Sequence, residues 1–273
     1  MQAQDFLKEG DLSGALSAAM QAVRDDPAKA ENRTLLFQLL SVAGDWDRSL
    51  TQLNVAGELD PSAIPMVQTY QEALGCEALR GQVFAGLRSP LVFGDPEQWI
   101  ALALEAVKLS GQGKHAEAVT LREQAYELAP TVPGTINGDA FEWLADADSR
   151  IGPFVEAIID GKYYWVPMHR IASMTIEAPE DLRDLVWIPA QFSWANGGQS
   201  IALLPVRYPD THTSSNDSLR LSRRTEWDEK SADTFFGVGQ RMLATDQADY
   251  SLLDIREIVF ELDVPDAENA EAG

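Results

Sequence analysis

Two aspartates and an arginine stand close together in the chain, where the sequence reads Asp146-Ala147-Asp148-Ser149-Arg150. Alternating carboxylates can bind a hard divalent cation, and a neighbouring guanidinium can hold a phosphate. The next residues, Ile151-Gly152-Pro153, do not continue an EF-hand loop, which needs a glycine at its sixth position and a glutamate at its twelfth. A helix end held by charge pairs explains the run better than a metal site does.

The other residues with catalytic potential are scattered along the sequence. The histidines, His115, His169 and His212, have no metal ligand or nucleophile near them in the sequence, and the charged run 181–184 is typical of an ion-paired corner. Nucleophile elbows, phosphate loops and HExxH motifs are absent from the sequence. We therefore predict a protein that is not an enzyme and has no cofactor or metal. The alternative is a metal-dependent hydrolase in the C-terminal half, with Asp146, Asp148 and Arg150 at its site.

Charge narrows the range of partners. The chain has 273 residues, with 43 acidic against 21 basic side chains and a formal net charge of −22. Such a charge repels nucleic acid and anionic membranes, so the expected partner is a protein with basic or apolar character. A single cysteine, Cys76, excludes an internal disulfide framework. With neither a secretory signal nor a long apolar run, the sequence predicts a cytoplasmic protein without a membrane span.

The N-terminal half contains an internal repeat. Glycine is followed 17 residues later by proline in three places, at Gly10 and Pro27, Gly44 and Pro61, and Gly113 and Pro130, and Pro96 falls in the same phase. Glycine allows a sharp turn between two helices, and proline ends the second helix. The spacing resembles the tetratricopeptide repeat, whose period is about 34 residues. The unit from 62 to 95 lacks the glycine in phase, so we expect a distorted hairpin there.

Strand patterns follow Pro133-Gly134. Two-residue turns at Asp160-Gly161 and Asn196-Gly197 lie between apolar runs and predict two hairpins. Asp139 and Glu142 form a capping-box pattern that predicts a short helix. Further strands are predicted at 173–177, 219–226 and 255–262.

These patterns predict an α+β fold with three regions. A tetratricopeptide-like helical-hairpin array at residues 1–133 is followed by a strand-rich domain at residues 134–263. Residues 264–273 are predicted to be an acidic disordered tail. Because the array resembles a protein-binding repeat and the sequence has no recognisable catalytic motif, the predicted function is that of a protein-binding adaptor. In the hydrolase alternative, the repeats serve as a targeting module.

The repeat register also predicts where the partner binds. The first helix of each tetratricopeptide hairpin lines the concave face, which here carries Leu35, Gln38, Val42, Met66, Tyr70, Ala73, Ile100, Leu104 and Val107. An open, largely apolar stripe of this kind suits an amphipathic helix, and the acidic surroundings favour basic residues on its flanks. The alternative is that distortion of the third unit closes the groove and buries the stripe as core.

Several longer motifs resemble the ImpE family (also TagJ or SciE) of type VI secretion accessory proteins. They are 83–94 (VFAGLRSPLVFG), 141–153 (FEWLADADSRIGP), 161–167 (GKYYWVP), 181–187 (DLRDLVW), 205–209 (PVRYP), 225–227 (TEW) and 239–241 (GQR). The resemblance implies a cytoplasmic bacterial protein that binds the N-terminal helix of the small contractile-sheath subunit. It also implies action alongside the ring ATPase that disassembles contracted sheath, and it supplies no catalytic residues.

Overall fold

Helices precede strands along the chain in this computed structural model, which describes residues 2–262. The α-helices in that range are α1 (Ala3–Glu9), α2 (Leu12–Asp25), α3 (Ala30–Ala43), α4 (Trp46–Leu59), α5 (Ile64–Phe84), α6 (Gln98–Gly111), α7 (His115–Leu128) and α8 (Asp217–Arg220). The strands are β1 (Leu91–Val92), β2 (Gly134–Ile136), β3 (Asp139–Phe141), β4 (Leu144–Asp146), β5 (Phe154–Ile159), β6 (Lys162–Pro167), β7 (Ile171–Ile176), β8 (Trp187–Trp194), β9 (Gln199–Pro205), β10 (Thr225–Ser231), β11 (Thr234–Gly239), β12 (Met242–Thr245), β13 (Asp249–Ser251) and β14 (Glu257–Phe260). The predicted α+β class, with helical hairpins before a strand-rich region, is confirmed.

Three helical hairpins, α1–α2, α3–α4 and α6–α7, form where the glycine boxes predict them. Gly10, Gly44 and Gly113 have positive φ angles of 81°, 76° and 76°, which a side chain would strain. The small residues that follow these turns, Ala15, Ser49 and Ala118, are fully buried because the paired helices approach closely there.

The third repeat unit departs from the prediction of a distorted hairpin. Its helical part is a single helix, α5, of 21 residues, with Pro65 in its first turn. Beyond Gly86, which has a φ of 71°, the chain runs on to β1, and this strand pairs in parallel with β6. The unit therefore contributes one long helix to the array and a short strand to the sheet.

A nine-stranded sheet forms the centre of the C-terminal half, in the order β1-β6-β5-β9-β8-β7-β14-β2-β3. Strands β13, β12 and β4 form a second sheet, and β10 pairs with β11. The hairpins at Asp160-Gly161 and Asn196-Gly197 are confirmed, joining β5 to β6 and β8 to β9.

Two local predictions in this half are wrong. Asp139 begins β3 and not a helix, because Asn137 and Gly138, both with positive φ, make a tight turn that pairs β3 with β2. The strand predicted at 219–226 is replaced by the end of α8 and the start of β10.

The helices and the large sheet share one apolar core. Phe37 of α3 and Tyr70 of α5 belong to the same buried cluster as Phe154, Trp165 and Trp187 of the sheet. A second cluster lies on the opposite face of the sheet, around Phe192 and Ile258. The last helix of the array ends at Leu128 and β2 begins at Gly134, while the predicted acidic tail, 264–273, lies outside the described residues. Among residues 2–262, the helices are all too short or too polar to cross a membrane.

Candidate functional site

The predicted concave face lies against the sheet. Six of its nine residues are buried: Gln38, Val42, Tyr70, Ala73, Ile100 and Val107. The other three, Leu35, Met66 and Leu104, are partly buried and pack on the shared core. The ring of Tyr70 lies 6.0 Å from that of Trp187 in β8. In this structure the stripe is part of the core, and the sheet, rather than a distorted repeat, covers it.

One end of the stripe reaches a surface opening, which we call the α5 cleft. It lies between the first turns of α5 and the face of the sheet that packs on the helices, and it has a volume of about 470 Å³. Its lining residues include Met66, Tyr70, Glu72, Ile158, Asp160, Arg183 and Ile201. Ile201 is 76% exposed, although it is a large apolar residue in the middle of a strand. Glu72 and Asp160 place two exposed carboxylates beside this apolar surface. Arg183 also lines the cleft, but its charge is paired with Asp181 at 2.8 Å. The cleft thus combines an apolar floor with two carboxylates that have no cation paired to them within the described residues.

The two aspartates of the 146–150 run are buried and fully engaged in hydrogen bonds. One oxygen of Asp146 accepts from the backbone N–H of Asp148 at 2.9 Å and the hydroxyl of Tyr208 at 3.1 Å, while the other pairs with Arg241. Asp148 accepts from the side chain of Arg150 at 2.9 and 2.5 Å and from the backbone N–H of Gly237 at 2.8 Å. The run therefore holds β4, β11 and β12 together, as charge pairs should, although it begins at a strand and not at a helix end.

Asp146 is also part of a larger group of buried charges between the helices and the sheet, which we call the charged seam: Arg80, Asp146, Glu156 and Arg241. Arg80 of α5 donates to both oxygens of Glu156 in β5, at 2.7 and 3.1 Å, and Arg241 pairs with Glu156 and Asp146. Nη2 of Arg80, which donates to Oε2 of Glu156, also donates to the carbonyl of Arg207 at 2.7 Å. The seam fixes α5 to the sheet through charges that water does not reach.

The two carboxylates of the seam have pKa values shifted in opposite directions. Burial would raise the pKa of Glu156, but Arg80 and Arg241 outweigh burial and hold it at about 2. Burial dominates at Asp146, whose pKa rises to about 6 against the pull of Arg241. Glu156 is therefore an anion at neutral pH, held between two guanidinium groups, and Asp146 is the group of this seam that titrates nearest neutral pH.

The histidines pack against other rings. His115 lies edge-on to Phe236, with 5.7 Å between ring centres, and His212 lies 5.6 Å from Trp46. His169 contacts Glu97 at 3.1 Å, and burial lowers its pKa. Each histidine therefore serves a different packing contact, and the three do not converge on one site.

The 181–184 run also has a structural explanation. Asp184 accepts from the backbone N–H groups of Glu180 and Asp181, and Arg183 pairs with Asp181 at 2.8 Å while lying over the ring of Tyr70. Across residues 2–262, no three His, Cys, Asp or Glu side chains are grouped so as to hold a metal ion. The charged residues of the 181–184 run are thus used in an internal ion pair and in capping backbone N–H groups.

Comparison with known proteins identifies the family. The family model described as ImpE protein matches residues 138–259. A Pseudomonas aeruginosa protein, the type VI secretion system accessory component TagJ, is 50% identical over 261 residues, which cover 96% of this chain and 92% of TagJ. The chain belongs to the ImpE family. A crystal structure of a Vibrio parahaemolyticus protein, 23% identical, shares the fold with a TM-score of 0.87 over 95% of this chain and 97% of that one.

Sequence reasoning about this ImpE protein missed the charged seam and the exposed Ile201. One signal for the seam was available, since Glu156 interrupts an otherwise apolar strand, 154–159. A carboxylate in such a strand requires a buried cation. For Ile201 there was no comparable signal, because its apolar neighbours Ala202, Leu203 and Leu204 are buried on the same strand.

Proposed function

We propose that this ImpE-family protein is a non-catalytic adaptor of bacterial type VI secretion, working in the cytoplasm and binding the N-terminal helix of the small contractile-sheath subunit. The observation that carries the proposal is the 50% identity to TagJ, an accessory component of that system, over nearly the whole of both chains. The adaptor acts alongside the ring ATPase that disassembles contracted sheath.

The α5 cleft is the surface that we assign to the sheath helix. An amphipathic helix binds by placing its apolar face in an apolar groove. Ile201 and Met66 supply such a surface, and the largely buried Tyr70 lies beneath it. The carboxylates of Glu72 and Asp160 favour basic residues beside the helix's apolar face and accelerate encounter at low salt.

Only part of the predicted stripe takes part in this proposal. Met66 and Tyr70 line the open cleft, whereas Val42, Ile100 and Val107 are buried in the core that the helices share with the sheet. Binding along the whole stripe would require the sheet to leave the helices, which would break the charged seam and expose the shared core. The α5 end needs no such rearrangement.

The experiment titrates a peptide of the sheath subunit's first helix into the full chain and into two matched variants. Ile201→Lys removes an apolar side chain that is 76% exposed in the cleft, and Leu87→Lys does the same at a site that is 75% exposed elsewhere. If Ile201 anchors the helix, its replacement costs about 2 kcal/mol, or roughly 30-fold in affinity.

Leu87→Lys makes the same change in net charge but lies outside the cleft. It should therefore alter the affinity far less than Ile201→Lys does. Circular dichroism checks that both variants are folded. An equal loss of affinity in the two variants would show that the change in net charge causes the loss. Unchanged affinity in Ile201→Lys would show that the peptide binds outside the cleft.

A further inference from the structure

A second surface opening lies where the array joins the strand-rich half, and we call it the junction pocket. It has a volume of about 290 Å³ and lies between the C-terminal end of α7, the connection 129–132 and strands β4 and β14. Its lining residues include Tyr126, Val132, Trp143, Leu144, Met168 and Phe260. Leu144, Met168 and Phe260 are buried and form its floor, whereas Trp143 is 40% exposed at its edge.

The size and lining of the pocket suit one large apolar side chain. An apolar cavity of about 150 Å³ is enough to hold benzene, and the junction pocket is larger. Its lining contains no lysine or arginine, and His169 is its one ionisable group besides Tyr126. A pocket of this kind, with an exposed tryptophan at its edge, resembles the anchor sites of protein interfaces.

The charge around the pocket indicates what flanks that side chain. Exposed carboxylates adjoin three of the lining residues in sequence: Glu127 follows Tyr126, Glu142 precedes Trp143, and Glu261 follows Phe260. The cation that adjoins the lining, Arg170, is paired with Glu97. Asp246, also exposed, accepts a hydrogen bond from the backbone N–H of Glu142 at 2.8 Å. A basic segment is attracted to this rim, and an acidic one is repelled.

Charge disfavours two other occupants. The sequence 263–273 includes four acidic side chains and no basic one, so it has no cation to offer the rim. A second copy of the chain brings a net charge of −22 to the same rim. We propose that the junction pocket binds a large apolar side chain, aromatic or leucine-like, from a partner segment with basic residues on both sides.

This surface is separate from the α5 cleft. The junction pocket is lined by Gly152 and Pro153, just before β5, and the α5 cleft by Ile158 and Asp160 at the other end of that strand. At about 3.3 Å per residue, the two openings are roughly 20 Å apart along β5. One chain can therefore bind two partner segments at the same time, as an adaptor requires.

The test uses fluorescence anisotropy with two labelled synthetic peptides, one with a tryptophan between lysines and one with alanine in its place. The full chain should bind the tryptophan peptide at least about tenfold more tightly, the preference expected of an anchor residue. A peptide with glutamates in place of the lysines should not bind. Trp143→Ala should remove the preference for tryptophan, and Trp227→Ala, which truncates a 42% exposed tryptophan on β10, should keep it.

Thr131→Trp gives a second way to close the pocket, since Thr131 is an exposed lining residue whose enlargement leaves the core intact. It too should remove the preference, while Ile201→Lys should preserve it. Equal affinity for the tryptophan and alanine peptides would reduce the attraction to surface charge and overturn the proposal. A preference that survives both Trp143→Ala and Thr131→Trp, or is lost in Ile201→Lys, would place the anchor elsewhere. The sheath-helix proposal stands or falls separately, by Ile201→Lys with its own peptide.

Discussion

The two ends of α5 face different environments. Near its C-terminal end, Arg80 is buried in the charged seam and bonded to Glu156. Near its N-terminal end, Met66 lines a cleft that is open to solvent and continues onto Ile201. The comparison shows that, along this helix, the charged side chain of Arg80 stabilises the interior, while the end that lines the open cleft exposes apolar surface.

A physical reason underlies this division. A buried carboxylate or guanidinium must be paired and hydrogen-bonded, since an unpaired charge away from water is strongly destabilising. Once Asp146 and Glu156 have formed these bonds, they have no free oxygen with which to bind a ligand. An exposed apolar side chain such as Ile201 has no such obligation, so its free energy of burial is available to a partner.

The largest expected effect comes from removing the sheet altogether. The helices share their core with Phe154, Trp165 and Trp187, so a chain that ends at Pro130 leaves this apolar surface uncovered. We expect it to aggregate or to unfold without cooperativity in a thermal melt followed by circular dichroism. A truncated chain that melts cooperatively at the temperature of the full chain would show that the array is independent of the sheet.

The next effect tests the seam alone. Glu156→Gln removes the anion that Arg80 and Arg241 share, although Arg80 keeps Glu77 and Arg241 keeps Asp146 as a partner. Removing one partner of a buried ion pair costs about 3–5 kcal/mol, and we expect the lower end of that range here. Urea denaturation at neutral pH measures this loss. Glu226→Gln is the matched control, because Glu226 pairs with Arg224 at 2.8 Å with both side chains about half exposed, and such pairs contribute at most about 1 kcal/mol. Similar losses of unfolding free energy in the two variants would contradict the conclusion that the charged seam stabilises the fold more than a surface ion pair does.

Acid should remove the same contribution in the unchanged protein. The pKa of Glu156 is lowered from 4.5 to about 2, so its stabilisation is complete above pH 4.5 and is lost as the pH falls towards 2. The shift corresponds to a free energy on the order of 3 kcal/mol. The contribution of Asp146 to stability changes with pH in the opposite direction. Because its pKa is raised to about 6, acidification between pH 6 and 4 favours the folded state.

Denaturation of the wild type and Glu156→Gln across this pH range separates the two carboxylates. The difference in unfolding free energy should be constant from pH 7 to 5 and shrink between pH 4.5 and 2, since Asp146 is present in both proteins. A difference that stayed constant down to pH 2 would mean that Glu156 keeps an ordinary pKa in the fold.

Much of the helical half could be predicted because its signals are local. A glycine turn, a small residue and a proline at fixed spacing define each hairpin, and the turns at Gly10, Gly44 and Gly113 depend on their own φ angles. Where the pattern failed, in the third unit, Gly75 and Gly81 are out of phase with the other glycine boxes, and α5 continues through both without a positive φ. The short helix predicted at Asp139 does not form, because the Asn137-Gly138 turn pairs β3 with β2 and is a stronger local signal than the capping-box pattern.

The surroundings of the site depend on contacts distant in sequence, and these could not be predicted. Arg80 and Glu156 are 76 residues apart, and Asp146 and Arg241 are 95 apart. The register placed Tyr70 and Val107 on one face of the array, but nothing in the repeat showed that a sheet would lie on that face. The packing of the helices against the sheet decides which residues stay exposed. No short pattern in a single sequence predicts that packing.

The smallest expected effect is that of divalent metal, and it tests whether the aspartates of the 146–150 run can bind an ion in place of their arginine partners. Both carboxylate oxygens of Asp146 and of Asp148 accept hydrogen bonds from arginine, backbone or tyrosine donors, so an ion would have to displace Arg241 or Arg150. We expect the melting temperature to be the same with excess Mg²⁺ or Mn²⁺ as with EDTA. An ion bound at 100 times its Kd would add about 2.7 kcal/mol of stability, which in a chain of this size raises the melting temperature by several degrees. A rise of that size that EDTA reverses and Asp148→Asn abolishes would favour the hydrolase alternative, because the arginines would then be exchangeable for a catalytic ion.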